Sequence, residues 1–119
     1  MSFIWAKSEV ANMSATLYET NITLNKAACS YFEDYRFVLL GHDLDLKQLA
    51  IKPISKEDYD LNIYPRSQIH KISLGKSYGR ISNKPFMKML STLFKLDYQN
   101  GIKFDATYDE EQDMMIIQL

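Results

Sequence analysis

The sequence predicts one domain of the α+β class that is mostly β and is built from two strand–short helix–β-hairpin repeats. Two stretches indicate the duplication, because residues 41–53 and residues 107–119 overlay without a gap. In this overlay Asp43 meets Asp109, and Leu49 meets Met115. A chain of 119 residues is also long enough for one hydrophobic core and too short for two.

Each repeat carries a short predicted helix that begins after an asparagine. Asn25 and Asn83 both follow β-prone runs and both precede a lysine. Asparagine is a strong N-cap, because its side chain accepts a hydrogen bond from the first helical turn. Ser82 is the alternative cap of the second helix, and Pro85 fits its first turn. Helical spacing predicts that these apolar residues face the core: Ala28, Tyr31, Phe32 and Tyr35 in the first helix, and Phe86, Met89, Leu90, Leu93 and Phe94 in the second.

A predicted hairpin follows each helix, with strands at 36–40 and 49–51 in the first repeat and at 102–108 and 114–119 in the second. In the strand at 102–108, apolar residues alternate with polar ones, as expected for a half-buried strand. The repeats are therefore expected at about 15–53 and 72–119, joined by a connector at 54–71 that contains one turn of helix. Any two hairpins share polar turns and apolar strands, so chance similarity is the alternative to duplication.

The order strand, short helix, strand, turn, strand resembles the half-unit of the AbrB/MazE/MraZ swapped-hairpin family. Arg80-Ile81 stands where that family has Arg-Val, whereas Asn25 replaces its proline and Pro85 comes one residue late. In the family two half-units interleave their hairpins, usually by dimerising, and MraZ carries both in one chain. The resemblance implies a single small barrel with pseudo-twofold symmetry and a DNA-binding role in transcription regulation.

Charge is segregated along the chain, although the formal net charge is only −1. Residues 61–96 contain no aspartate or glutamate and seven lysines or arginines. Cations neutralise phosphates, and arginine also reaches base edges. The candidate nucleic-acid-binding residues are accordingly Lys71, Lys76, Arg80, Lys84 and Lys88.

Two further points concern this basic stretch. Tyr64, Tyr78 and Tyr98 lie in or next to it and are candidates to stack on bases. The alternative is that the basic residues pair with acidic strands of the same repeat, where Asp105 and Asp109 lie. In that case the basic stretch would stabilise the fold and would bind nothing.

No pattern in the sequence indicates catalysis. Cys29 lies in an alanine-rich helical stretch without a glycine elbow, and His42 stands at a turn where polar residues are expected. The four glycines are isolated, so no phosphate-binding loop is present. The acidic residues at 109–111 suit a solvated turn. We therefore predict a protein that is not an enzyme and has no cofactor and no metal site.

Two functions remain as hypotheses. The first is a small, transcription-regulator-like protein with duplex DNA as its partner. The second is a non-enzymatic protein-interaction or structural module with the same barrel and no nucleic acid, favoured by the low net charge and by Phe3, Ile4 and Trp5 as a contact for a protein partner. No apolar stretch has the length of a signal peptide or a membrane span, so we expect a cytoplasmic, unprocessed monomer or homodimer without a membrane partner.

Overall fold

The computed structural model describes residues 2–3 and 12–119, which form a closed antiparallel barrel of eight strands with three helices. The strands are β1 (Met13–Leu17), β2 (Asn21–Asn25), β3 (Phe37–Asp43), β4 (Gln48–Ile54), β5 (Ile69–Leu74), β6 (Tyr78–Ser82), β7 (Ile102–Asp109) and β8 (Met114–Gln118). The helices are α1 (Lys26–Cys29), α2 (Lys56–Asp60) and α3 (Lys84–Phe94), with a short 3₁₀ turn at Arg66–Gln68. The predicted mostly-β α+β class is confirmed.

Around the barrel the strands follow the order β1-β2-β6-β5-β3-β4-β8-β7, and β7 closes on β1. The helices α1 and α3 each follow a two-stranded hairpin, β1–β2 and β5–β6, where the sequence had predicted a single strand. The strand β5 begins at Ile69, inside the stretch predicted as connector. Both missed strands are short, and each pairs with the next strand in sequence and with one distant strand, β7 for β1 and β3 for β5.

The core lies inside the barrel and follows from strand alternation. Every second residue of a strand points inward, so apolar residues at that spacing fill the interior. Leu24 on β2, Ile51 on β4, Ile81 on β6 and Ile117 on β8 are fully buried. Burial of such side chains is the main favourable contribution to folding.

Both predicted N-caps are confirmed. The Asn25 Oδ1 accepts from the Ala28 amide at 3.0 Å, and the Asn83 Oδ1 accepts from the Phe86 amide at 3.1 Å. The first helix is only four residues long and passes into turns that bury Phe32. Local side-chain chemistry therefore sets where each helix begins, and packing sets how far it continues.

The predicted core face of α3 is wrong in part. Met87 and Leu90 are fully buried, whereas Met89 and Leu93 are 37% and 39% exposed. The helix has apolar residues on two adjacent stripes, and only the stripe with Met87 and Leu90 packs on the barrel. The buried Tyr98 hydroxyl strengthens this contact by donating to the Met87 carbonyl oxygen at 2.6 Å.

The turns of the β3–β4 and β7–β8 hairpins have the same geometry. The Asp43 Oδ1 accepts from the Leu46 amide at 3.0 Å, and the Asp109 Oδ1 accepts from the Gln112 amide at 3.1 Å. The last residue of each turn has a left-handed backbone, with φ of 54° at Lys47 and 55° at Asp113. The ungapped overlay of these two stretches therefore matches equivalent turn positions.

The β1–β2 and β5–β6 hairpins also share one turn geometry. In the first, the Tyr18 amide donates to the Asn21 carbonyl oxygen at 2.9 Å. In the second, the Gly75 amide donates to the Tyr78 carbonyl oxygen at 2.8 Å. Each turn thus has two central residues, which is the commonest short hairpin connection.

In the predicted connector, α2 lies where one turn of helix was expected. The Ser55 hydroxyl caps it by accepting from the Asp58 amide at 3.1 Å. The Tyr59 ring stacks on Phe37 with ring centroids 4.4 Å apart, and the Arg66 guanidinium lies 3.8 Å from its centroid. These contacts hold the connector against the start of β3.

Candidate nucleic-acid interface

The site is built around β6, where Tyr78, Arg80 and Ser82 are exposed and alternate with buried Gly79 and Ile81. Because successive side chains of a strand point to opposite faces, the buried residues direct Arg80 to the outside of the barrel. Its position on the surface is therefore a consequence of the strand pattern.

Strand register places Arg80 in a row of outward-facing side chains. Thr23 on β2 and Ser73 on β5 lie opposite Arg80 on its two sides. The row continues from Thr23 to Thr16 on β1 and then to Lys103 on β7. We call these five residues the polar row. In the order Ser73, Arg80, Thr23, Thr16 and Lys103, one cation lies second in the row, the other lies at its end, and no member is a carboxylate.

Two inner members of the polar row, Thr23 and Arg80, line a groove of about 570 Å³, here called the Arg80 groove. Its lining residues are Tyr18, Glu19, Thr20, Asn21, Thr23, Tyr78, Arg80 and Gln99. The Thr23 hydroxyl donates to the Asn21 Oδ1 at 2.8 Å, and the Asn21 Nδ2 donates to the Thr20 hydroxyl at 3.1 Å. These bonds hold the polar side of the groove in a defined arrangement.

Tyr78 and Arg80 form the opposite side of the Arg80 groove. The Tyr78 side chain is 46% exposed, which is unusual for a large aromatic residue in a strand. The Arg80 guanidinium carbon lies 5.5 Å from the centroid of the Tyr78 ring. This distance lies within the range of a cation–π interaction.

Arg80 does not pair with the acidic strands of its own repeat. Asp105 lies on β7 opposite Ser14, and β1 and β2 separate β7 from β6. Within residues 12–119, no carboxylate forms a hydrogen bond or an ion pair with any of the five predicted basic side chains. Acidic strands among the described residues therefore do not neutralise these five side chains, contrary to the alternative interpretation of the basic stretch.

The structure divides the five predicted basic residues into two groups. Lys71 is exposed on β5, and Lys76 lies in the turn that joins β5 to β6. Both share the outer surface with Arg80. Lys84 and Lys88 lie on α3 and line a second groove that also contains the carboxylates of Glu19 and Asp97. Carboxylates thus lie beside these two lysines, and Glu19 also lines the Arg80 groove.

The tyrosines predicted to stack on bases are also separated. Tyr78 is exposed beside Arg80, whereas Tyr98 is buried and its hydroxyl is bonded to α3. Burial raises the pKa of Tyr98 to about 12. Tyr64 lies half-buried in the connector. Tyr98 also lines the groove of Lys84 and Lys88, so Tyr78 differs from it in being exposed beside a predicted cation.

Several residues of this surface were not predicted from the sequence, namely Thr16, Tyr18, Asn21, Thr23, Gln99 and Lys103. The alternation of β2 marks Asn21 and Thr23 as outward-facing. No local signal shows that β2 lies beside β6, because that pairing joins distant parts of the chain.

A third groove, which is apolar and has a volume of about 670 Å³, lies between α3 and the outer face of β3 and β4. Its apolar lining consists of Leu39, Leu40, Gly41, Ala50, Pro85, Phe86, Met89 and Met114. Polar residues at this groove include His70, whose Nδ1 lies 3.2 Å from the Asn83 Nδ2. Burial lowers the pKa of His70. We call this surface the α3 groove.

The N-terminal contact predicted from Phe3, Ile4 and Trp5 is described only at Phe3, which is 75% exposed. Ile4 and Trp5 lie outside the described residues. None of the helices in the described ranges has the length and apolar character needed to span a bilayer. In the same ranges, no group of three or more histidine, cysteine or acidic side chains is placed to hold a metal ion.

Comparison with protein-family models, with curated proteins and with solved structures returned no match. The geometry of the barrel surface is therefore the basis for the functional argument.

Proposed function

We propose that this chain is a small DNA-binding protein of the transcription-regulator type, and that DNA lies on the polar row with Lys71 and Lys76 beside it. The observation that carries the proposal is Arg80, which points outward in the polar row and has no carboxylate partner among the described residues. A solvated guanidinium in this setting is available to a phosphate or a base edge.

The neighbours of Arg80 support the same function. Thr23 and Ser73 place hydroxyl groups on the two strands beside it, and Thr16 adds another one strand further along the row. Hydroxyl side chains together with arginine and lysine make most protein contacts to the DNA backbone. A net charge of −1 does not oppose this, because attraction to phosphate depends on local charge at short range when salt screens the rest.

We further propose that the barrel consists of two repeats related by a pseudo-twofold axis, as in the swapped-hairpin family that the sequence resembles. The matching turns of the two hairpin pairs support this. So do the strand pairings, because β2 pairs with β6, β4 pairs with β8, and each first hairpin pairs with the second hairpin of the other half.

The experiment compares Arg80→Glu with Lys56→Glu by fluorescence anisotropy on generic duplex DNA. Lys56 is exposed on α2, so both variants change the net charge equally at solvated positions. We expect Arg80→Glu to weaken binding at least tenfold and Lys56→Glu to change it less than twofold. Wild-type affinity should also fall steeply as salt is raised.

Equal weakening by the two variants would show a non-specific charge effect and would contradict the proposal. Absence of wild-type binding to both duplex and single-stranded DNA at low salt would end it. Thermal unfolding of both variants is the fold control, and little change is expected because exposed charges far from partners contribute little to stability.

A protein-interaction module is the second candidate function, and the α3 groove favours it. This groove exposes apolar side chains of α3 beside an apolar sheet surface, including Met89. Contiguous exposed apolar surface is typical of protein contacts. If the polar row is the functional surface, Met89→Glu should leave DNA binding unchanged. If the α3 groove is the functional surface, the same variant should abolish binding of a protein partner.

A further inference from the structure

We infer that the Arg80 groove takes an unpaired nucleotide, so that DNA binds here as a single strand with one base stacked on the Tyr78 ring. The inference rests on the proposed DNA-binding function and specifies the form of the ligand. It starts from the position of one aromatic side chain.

Tyr78 is exposed on the outer face and forms no stacked or edge contact with another ring in the described part of the chain. A strand tyrosine usually gains its stability by packing against neighbours on the sheet. Here the ring borders a groove and is available to a planar ligand. Aromatic side chains in this position are the usual stacking surface for bases of single-stranded nucleic acid.

Arg80 is placed to bind the phosphate that accompanies a stacked base. Its guanidinium lies near the Tyr78 ring at 5.5 Å and forms no ion pair in the described chain. Lys76 lies on the adjoining turn. Together they put positive charge on the Tyr78 side of the groove.

The far side of the groove has a different chemistry. Glu19 is the only carboxylate among the lining residues, and its charge repels phosphate. Beside it, the Gln99 Nε2 donates to the Asp97 Oδ2 at 3.3 Å. The side-chain oxygen of Gln99 has no hydrogen bond in the described chain. Phosphates should therefore lie toward Arg80, and a base edge should point toward Gln99 and Asn21.

An intact duplex cannot use this arrangement. Its bases are paired and stacked on one another, so their faces are not available to a side chain. Only an unpaired base can place its face on Tyr78 while its phosphate contacts Arg80. The groove of about 570 Å³ is open to solvent, so one base can enter it from the surface.

The test measures anisotropy of a labelled 12-nucleotide oligothymidine, the same length of duplex DNA, and an abasic 12-mer that keeps the phosphates. The proteins are the wild type, Tyr78→Ala, Tyr78→Phe and Lys56→Glu. We expect the oligothymidine to bind more tightly than the duplex or the abasic strand. Tyr78→Ala should weaken oligothymidine binding about tenfold or more, and Tyr78→Phe less than twofold, because stacking needs the ring and not the hydroxyl.

Different outcomes separate the inference from the proposed function. Oligothymidine binding that survives Tyr78→Ala, or an abasic strand that binds equally well, overturns the inference. If duplex binding is tight and depends on Arg80 while Tyr78 has no effect, the proposed function stands and the inference fails. If no form of DNA binds, both fail. Melting curves of the variants are the control for misfolding. Because Tyr78 is exposed, its substitution should change the melting temperature little.

Discussion

The two ends of the barrel are covered by helices that begin alike and pack differently. Because β2 and β6 run antiparallel, α1 and α3 leave the barrel at opposite ends. Both begin at an asparagine cap. At the α1 end, Tyr31 stacks on Tyr108 with ring centroids 4.0 Å apart. At the α3 end, Phe94 meets His42 edge-on at 6.2 Å, and the α3 groove stays open beside it.

The difference shows that the longer helix is not the more closely packed one. The four-residue α1 and its turn bury Phe32 completely and bring the Cys29 sulfur against Gly79. The eleven-residue α3 leaves Met89 and Leu93 partly exposed. Closeness of packing predicts that the short helix end is the more sensitive of the two to substitution.

The largest expected effect compares Phe32→Ala with Phe94→Ala. Phe32 is fully buried, so its truncation should lower the free energy of unfolding by about 3–5 kcal/mol. Phe94 is only partly buried, and its truncation should cost less than half as much. Urea unfolding measures both. Equal losses would show that the α3 end is as tightly packed as the α1 end.

A smaller effect is expected from adding one methyl group to a glycine at each place, Gly79 beside α1 and Gly41 in the α3 groove. At Gly79 a Cβ would lie 2.8 Å from the Cys29 Sγ and 3.0 Å from the Leu74 Cδ2, whereas at Gly41 it would meet no atom within 4 Å. We expect Gly79→Ala to cost about 1–3 kcal/mol and Gly41→Ala to be nearly neutral.

A double variant tests the cause of the Gly79 effect. Replacing Cys29 by alanine removes the sulfur that the new methyl group would strike. The loss in Gly79→Ala/Cys29→Ala should therefore be smaller than the sum of the two single losses. If the two losses of stability simply add, the Cys29 sulfur is not the atom that the new methyl group strikes.

The smallest expected effect is a pH dependence at the α3 end. The Asn83 Oδ1 caps α3, so its Nδ2 faces the His70 Nδ1, which must then accept and be unprotonated. Burial lowers the pKa of His70 in the folded protein. The unfolded chain then binds more protons, so stability is complete above the unfolded pKa of about 6.5 and falls as the pH drops below it.

Charged groups near His70 do not alter this expectation. Lys52 on β4 lines the same groove and donates to the Gln112 carbonyl oxygen, and Lys84 on α3 is exposed. The check is unfolding at pH 7.5 and pH 5.0 for the wild type and for His70→Gln. The variant should lose less stability between these pH values, and an equal loss would contradict the assignment to His70.

The sequence by itself was sufficient where a short local pattern dictates the structure. Asn25 and Asn83 cap helices because a cap needs only the next three residues. Asp43 and Asp109 form equivalent turns for a similar local reason. Alternation likewise marked Ile102, Phe104 and Ala106 as one face of β7, and the first two are half-buried while Ala106 is buried.

Local pattern was insufficient where several faces or partners compete. The apolar residues of α3 offer two stripes, and only the position of the barrel selects Met87 over Met89. The strands β1 and β5 were not identified as hairpin partners, because a five- or six-residue strand has weak periodicity and each also pairs with a strand distant in sequence, β7 for β1 and β3 for β5.

Arg80 shows where the boundary lies. Its strand pattern determined that the side chain faces outward, since Gly79 and Ile81 must face the core. The closed order of the strands decided its neighbours, which are Thr23 and Ser73 and not the acidic residues of β7. The physical reason is that alternation is a property of each strand alone, whereas the charge around a residue depends on which strands pair across the barrel.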